Sequence, residues 1–177
     1  RYTLLDQNTF WLCEKPDSVG MVGWDAALTR IATWAKLQDK KTGQILMVVN
    51  THFDHIGTEA RRNSALLIIE KIKEIVGTSP AILTGDFNVS EDWDAYKTIT
   101  NNEFILKDAH KVAGKRTGVD FTYHNFGKIP AEKCEKIDFI FVTPQIRVIS
   151  SYIPFSQLND TLFLSDHNPE IVELEIK

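Results

Sequence analysis

Ala81-Ile82-Leu83-Thr84-Gly85-Asp86-Phe87-Asn88 is the segment on which the reading of this chain turns. Three apolar residues after Pro80 read as a short buried strand ending at Gly85. Asp86 and Asn88 follow, and side chains at i and i+2 of extended backbone point the same way. A carboxylate that can hold or deprotonate water and an amide that can donate to a phosphoryl oxygen thus stand together at a strand end. Gly85 allows a close backbone approach there. An isolated Gly-Asp most often forms a plain turn after a strand, so the weight of the motif depends on what surrounds it.

Upstream, apolar residues at Ala65, Ile68, Ile69, Ile72, Ile75 and Val76 recur at spacings of three and four. With Gly77 and Pro80 as stop signals, they predict a helix over Thr58 to Val76. Before it, Ile45 to Val49 is an apolar run that reads as a strand buried on both faces. It pairs as a hairpin with the alternating segment Arg30 to Gln38 across Lys40-Lys41-Thr42-Gly43. Thr9 to Glu14 reads as a strand closed by turn residues, and Arg1 to Leu5 already has strand character. Downstream, Trp93 to Thr100 reads as a second, shorter helix, and Asn101 to Asp120 as a polar stretch in which His110 is solvated. Three more strands are predicted at Lys136 to Val142, Arg147 to Phe155 and Glu170 to Ile176. Strand and helix alternate, sheet exceeds helix, and neither a repeat nor a linker divides the chain, so residues 1–177 read as one α/β domain.

Composition excludes several classes. With 177 residues, 43% of them hydrophobic, the chain can bury a core and is too apolar to be disordered. A net charge of −4 supplies no overall basic field for a long polyanion. Cys13 and Cys134 lack metal-knot spacing and read as bystanders. No stretch approaches the ~20 apolar residues that a membrane-crossing helix requires. The first residue is not Met, from which the expectation is that residues have been removed upstream.

Three further segments carry the same kind of chemistry at predicted strand ends: Asn50-Thr51-His52, Ile137-Asp138-Phe139 and Ser165-Asp166-His167. Cleaving a phosphate ester requires neutralising charge on oxygen, positioning water and moving a proton, and carboxylates, imidazoles and amides around a divalent cation supply these functions. Asp86 and Asp166 are hard oxygen donors suited to Mg²⁺, or Mn²⁺, with no soft ligands beside them. His52 and His167 can bind phosphate or pass a proton, and Asp138 is the partner expected to orient His167. Among neighbours, Asp54 is expected to be structural, and His55 a pocket wall or cap. Arg30 could grip substrate or form a surface ion pair. Arg61 and Arg62 open the long helix and could aim at substrate or be ordinary surface charge. Phe121 to Phe126, including Asn125 and Phe126, offers aromatics beside polar groups, for substrate contact or for packing.

From about Phe10 to its end, the sequence resembles the endonuclease/exonuclease/phosphatase superfamily, carried by Leu83-Thr84-Gly85-Asp86-Phe87-Asn88 and Leu164-Ser165-Asp166-His167-Asn168-Pro169. Asn50-Thr51-His52-Phe53 and Ile137-Asp138-Phe139-Ile140-Phe141-Val142 support it in the right order. The resemblance implies a four-layer α/β/β/α sandwich with two mixed sheets and a site at one edge. It implies that Asp86 orients the attacking water, Asn88 and His52 stabilise the transition state, Asp166 contributes to metal binding, and His167 works with Asp138. The superfamily also carries an Asn and a metal-binding Glu on strands upstream of these motifs, and this chain contains neither segment. The expectation is therefore of the C-terminal portion of the domain, weakly active or inactive alone, able to self-associate through uncovered apolar surface. A phosphodiester or phosphomonoester is the implied substrate, with nucleic acid, nucleotide, inositol phosphate and lipid head groups all within the superfamily's range. The alternative is a noncatalytic relic or interaction domain with an incomplete metal site.

Overall fold

The structure, a computed structural model, describes residues 1–77, 79–101, 106–159 and 162–176. The elements run β1 (Tyr2–Trp11), β2 (Ile31–Asp39), β3 (Ile45–His52), α1 (Thr58–Val76), β4 (Ala81–Asp86) and α2 (Asp94–Thr100). After them come β5 (Lys107–Asp108), α3 (Ala109–Val112), β6 (Lys115–Gly118), β7 (Asp138–Val142), β8 (Ile146–Ile153), β9 (Gln157–Asn159), β10 (Leu162–Phe163) and β11 (Ile171–Ile176). Six strands form one mixed sheet in the order β1-β2-β3-β4-β7-β5, and three form a second in the order β11-β8-β6.

Alternation along the central strands sets the layers. Met47, Val49, Leu83, Phe139 and Phe141 face one way and pack with Ile68, Ile72 and Ile99 of α1 and α2. Their neighbours Leu46, Val48, Ile82 and Ile140 face the other way and meet Ile146, Val148, Val172, Leu174 and Ile176 of the second sheet. This two-sided burial is why β3 reads as an unbroken apolar run. The result is the expected mixed α/β sandwich, with helices, larger sheet and smaller sheet stacked in turn. Among the described residues, no long helix covers the outer face of the smaller sheet. Phe87, fully buried, joins the layers near the strand ends through edge contacts to Phe53 and Phe141, with ring centroids 4.9 and 5.2 Å away.

Helix α1 is the crossover that makes β3 and β4 parallel. Its N-terminal Gly57 offers no side-chain cap. Instead, Asp25 in a distant loop accepts from the backbone N–H groups of Ala60 (2.7 Å) and Glu59 (3.2 Å). The helix ends at Gly77, whose φ of 57° suits glycine.

Residues 101–120, read from sequence only as a polar stretch, contain β5, α3 and β6, while 102–105 lie outside the described residues. His110 is buried rather than solvated. Its Nδ1 lies 2.8 Å from Ser151 Oγ, and its backbone N–H donates to Asp108, which caps the short helix α3. Two to four residues per element are too few to show a periodicity, so these pieces depend on contacts distant in sequence.

Candidate active site

Strand register assembles the site. His52 ends β3 and is the parallel partner of Asp86 at the end of β4, and Asp86 is the antiparallel partner of Asp138 at the start of β7. Three adjacent strands thus present an imidazole and two carboxylates in one row. His167 is carried beside this row by the segment leading into β11. The row is closely joined: His52 Nε2 is 3.3 Å from Asp86 Oδ2, and His167 Nδ1 is 2.7 Å from Asp138 Oδ2. His167 Nε2 lies 4.0 Å from Asp86 Oδ2.

Asn88 joins the group through an unusual backbone. Its φ of 50° turns the chain sharply after Phe87, its N–H donates to Asp86 Oδ1 at 2.8 Å, and its side-chain Nδ2 donates to the Phe53 carbonyl at 3.0 Å. Gly85 is required by a close approach, because a Cβ there would lie 2.1 Å from the Thr51 carbonyl oxygen. Asn50, His52, Asp86 and Asp138 line an open cavity of about 470 Å³ at this edge of the sheet.

The electrostatics follow from partial burial. Burial raises the pKa of the Asp86 carboxyl above its ordinary value, the neighbouring Asp138 carboxylate adds to the rise, and Asn88 and both imidazoles oppose it. Burial lowers the pKa of His52, against the attraction of Asp86 and with help from the positive charge of Arg30. His167 moves the other way: the hydrogen bond to Asp138 raises its pKa, outweighing burial. The two imidazoles thus shift in opposite directions, His52 down and His167 up.

The remaining sequence candidates fall into two groups. Arg30 sits behind His52, with Nη2 3.3 Å from His55 Nδ1 and Nε 3.8 Å from Asp54 Oδ2. Asp54 is buried and structural: it accepts from the N–H groups of Ala27, Leu28, Ile56 and Gly57. Burial alone would push its carboxyl pKa up, but these four donations hold it far below the carboxylate range. Arg61 is outside the row: its guanidinium is buried, donates from Nη1 to the Asp54 carbonyl at 3.0 Å, and lies over the Trp93 ring. Arg62 reaches Glu59, 3.8 Å away on the helix surface.

The loop of Phe121 to Phe126 packs against the segment that carries Asp166 and His167. Asn125 and Phe126 have φ of 49° and 54°, and the Asn125 N–H donates to the Asp166 carbonyl at 3.1 Å. The Phe126 side chain is half exposed, and the Tyr123 ring stacks obliquely on His167 with centroids 4.9 Å apart. Asp166 accepts from Ser165 Oγ at 3.4 Å. Among the described residues, ligand atoms of Asp86, Asp138 and His167 lie within 4.8 Å of one another, a group that could hold a cation, and Asp166 is not part of it.

Three buried residues beside the row were not singled out from sequence. Thr122 Oγ1 accepts from the N–H groups of Ile137 and Asp138, both at 3.0 Å. Lys136 Nζ donates to the Asp138 carbonyl at 2.7 Å and to Glu170 Oε2 at 2.8 Å. The signal available was a Lys two residues before Asp138 and a Glu three residues after His167, both in predicted strand context where charge is unexpected. Burial pushes the Glu170 carboxyl pKa up, with Lys136 opposing.

Comparison with known proteins agrees with this architecture. Residues 6–167 match the model of the Endonuclease/Exonuclease/phosphatase family, and the chain belongs to that family, whose phosphoesterase fold it has. It is 64% identical to an endonuclease/exonuclease/phosphatase of Bacteroides vulgatus, with a TM-score of 0.96, covering 100% of this chain and 67% of that one. It is 35% identical to a mannosyl-6-phosphatase of Bacteroides thetaiotaomicron, with a TM-score of 0.90, covering 99% of this chain and 68% of that one. An uncharacterized protein of Acanthamoeba polyphaga mimivirus is 30% identical over 175 residues, 93% of this chain, and the chain spans 63% of that relative's length.

Proposed function

We propose that this chain carries the water-activating part of a metal-dependent phosphoesterase that cleaves a phosphomonoester or phosphodiester by in-line attack of water. The observation that carries the reading is the row His52, Asp86, Asp138 and His167, joined at 3.3, 4.0 and 2.7 Å at the open edge of a sheet. Asp86, whose carboxyl has a raised pKa, orients the attacking water and takes its proton. Asn88 uses one amide N–H on Phe53 and keeps the other for a phosphoryl oxygen. His52, at the edge of the same cavity, is the second hydrogen-bond donor to the phosphoryl group. His167, held by Asp138 and biased toward the imidazolium, places positive charge where negative charge develops.

The donor set fits a hard divalent cation: two carboxylates and an imidazole converge within 4.8 Å, and burial, with the neighbouring Asp138 carboxylate adding to it, disfavours the bare negative charge on Asp86. Asp86, the member of this group left outside the Asp138–His167 hydrogen bond, is the ligand we assign first; Asp166, the other ligand expected from sequence, lies outside the group and would have to approach it. Mg²⁺, or Mn²⁺ in its place, would supply Lewis-acid neutralisation of the phosphoryl oxygens when bound.

A sugar phosphomonoester leads the substrate classes, supported by the 35% identity to a mannosyl-6-phosphatase and by a net charge of −4 that does not attract a long polyanion. The test is phosphate release by the full-length protein from hexose 6-phosphates, nucleotides, inositol phosphates, a phospholipid head group and a DNA oligomer, with Mg²⁺, Mn²⁺ or chelator. Cation-dependent turnover of at least one compound, highest for the sugar phosphates, is expected. An inert full-length protein across the panel would favour a noncatalytic domain of the same fold.

A further inference from the structure

We infer that Lys136 and Glu170 are positioning residues for the Asp138–His167 pair, acting through the Asp138 backbone. The inference rests on the reading of that pair proposed above. Lys136 and Glu170 form an ion pair at 2.8 Å whose side chains are only 6% and 2% exposed. The ammonium has three hydrogens and a place for each: Glu170 Oε2, the Asp138 carbonyl oxygen at 2.7 Å, and the face of Phe139, whose ring centroid is 3.9 Å away. The second oxygen of Glu170 is also used, accepting from Ser151 Oγ at 3.2 Å.

Taking both charges out of water is costly, and two apolar side chains of similar volume would hold the sheets together as firmly. Only the ammonium can also fix a carbonyl oxygen. The carbonyl it fixes belongs to Asp138, whose own N–H is held by Thr122 Oγ1 at 3.0 Å. Asp138 is thus clamped on both sides by side chains at the point where its carboxylate must meet His167.

Topology strengthens the argument. Asp138 opens β7 of the larger sheet and Lys136 lies two residues before it, while His167 and Glu170 lie in the segment that leads into β11 of the smaller one. The Lys136–Glu170 and Asp138–His167 contacts therefore join the same two stretches of chain. Thr122 adds a third tie, because its carbonyl accepts the Asn168 N–H at 2.7 Å. Together these ties set the distance across which the 2.7 Å contact between His167 Nδ1 and Asp138 Oδ2 is made.

The test uses the full-length protein and compares wild type, Asp138→Asn and the double variant Lys136→Met/Glu170→Leu, which leaves neither charge stranded. Side-chain ¹⁵N NMR of labelled histidines, without metal and at a pH where the ring is neutral, reports whether His167 carries its proton on Nδ1 or Nε2. Steady-state kinetics on the best phosphoester of the panel gives kcat and KM. In the folded double variant, we expect the Nδ1–H form of His167 to lose its dominance, and kcat to fall about tenfold or more with KM within about twofold. A wild-type tautomer ratio with wild-type kcat overturns the inference. Should the double variant not fold, Lys136→Met/Glu170→Gln, which also removes the donor to the Asp138 carbonyl and leaves no buried charge unpaired, carries the same comparison: a shifted tautomer ratio supports the clamp, and wild-type values overturn it. If Asp138→Asn itself changes neither readout, the underlying reading of the pair falls as well. If Asp138→Asn changes both while the double variant changes neither, only the positioning role is lost.

Discussion

His52 and Asp86 stand opposite one another on parallel strands, Nε2 3.3 Å from Oδ2, and the same register continues to Asp138 on the next strand. A slip of one residue between β3 and β4 would turn either side chain to the opposite face of the sheet. The site is therefore a property of strand pairing before it is a property of any loop.

Gly85→Ala tests that dependence. A Cβ at 2.1 Å from the Thr51 carbonyl oxygen has no flexible neighbour to displace, so β3 and β4 must part where His52 and Asp86 meet. The expected cost is about 1–3 kcal/mol in denaturant unfolding, the usual range for overpacking, together with loss of phosphoester turnover. A variant as stable and active as wild type would show that the close approach is unimportant.

Asp54 supports the site from behind. Its carboxylate holds four backbone N–H groups and lies 3.8 Å from Arg30 Nε, so Asp54→Ala leaves four buried or part-buried donors and the Arg30 guanidinium without their carboxylate. A loss of about 3 kcal/mol or more is expected by chemical denaturation. The folded-state pKa is depressed, so this contribution is present above the ordinary carboxylate range and is lost as pH falls through the folded value. The stability difference between wild type and variant should accordingly shrink in strong acid and be constant from pH 6 to 8, about two units above an ordinary Asp pKa.

His167 behaves oppositely. Its pKa is raised by Asp138, so the pair stabilises the fold below the unfolded imidazole pKa of about 6.5, and that contribution is lost as pH rises through the higher folded value. In Asp138→Asn, the NMR titration of His167 should move down from the wild-type position, and the stability advantage of wild type should be seen on the acid side of neutrality. An unchanged titration would mean that the 2.7 Å contact carries no electrostatic weight.

Much of this architecture was legible because it rests on local pattern. The helix of Thr58 to Val76 has a continuous apolar stripe and a glycine stop, and the central strands carry apolar runs bounded by turn residues. The partnership of Asp138 with His167 could be named because each lies in a motif with its own chemistry. What escaped depends on contacts distant in sequence. His110 looked polar because its shelter, Ser151, lies 41 residues away. Arg61 looked like surface charge because the Asp54 carbonyl and the Trp93 ring that bury it come from other segments. Thr122 and Lys136 hold backbone groups, and Glu170 holds Lys136 and Ser151, rather than substrate, and no local spacing rule marks residues with such partners.

Turnover of Asp86→Ala against wild type, in the full-length protein with Mg²⁺ and the best substrate of the panel, decides whether this carboxylate activates the attacking water. A fall of about a hundredfold or more in kcat is expected, the range for removing a general base, with an unchanged melting temperature and circular dichroism spectrum. Wild-type turnover by a folded Asp86→Ala protein would contradict the account.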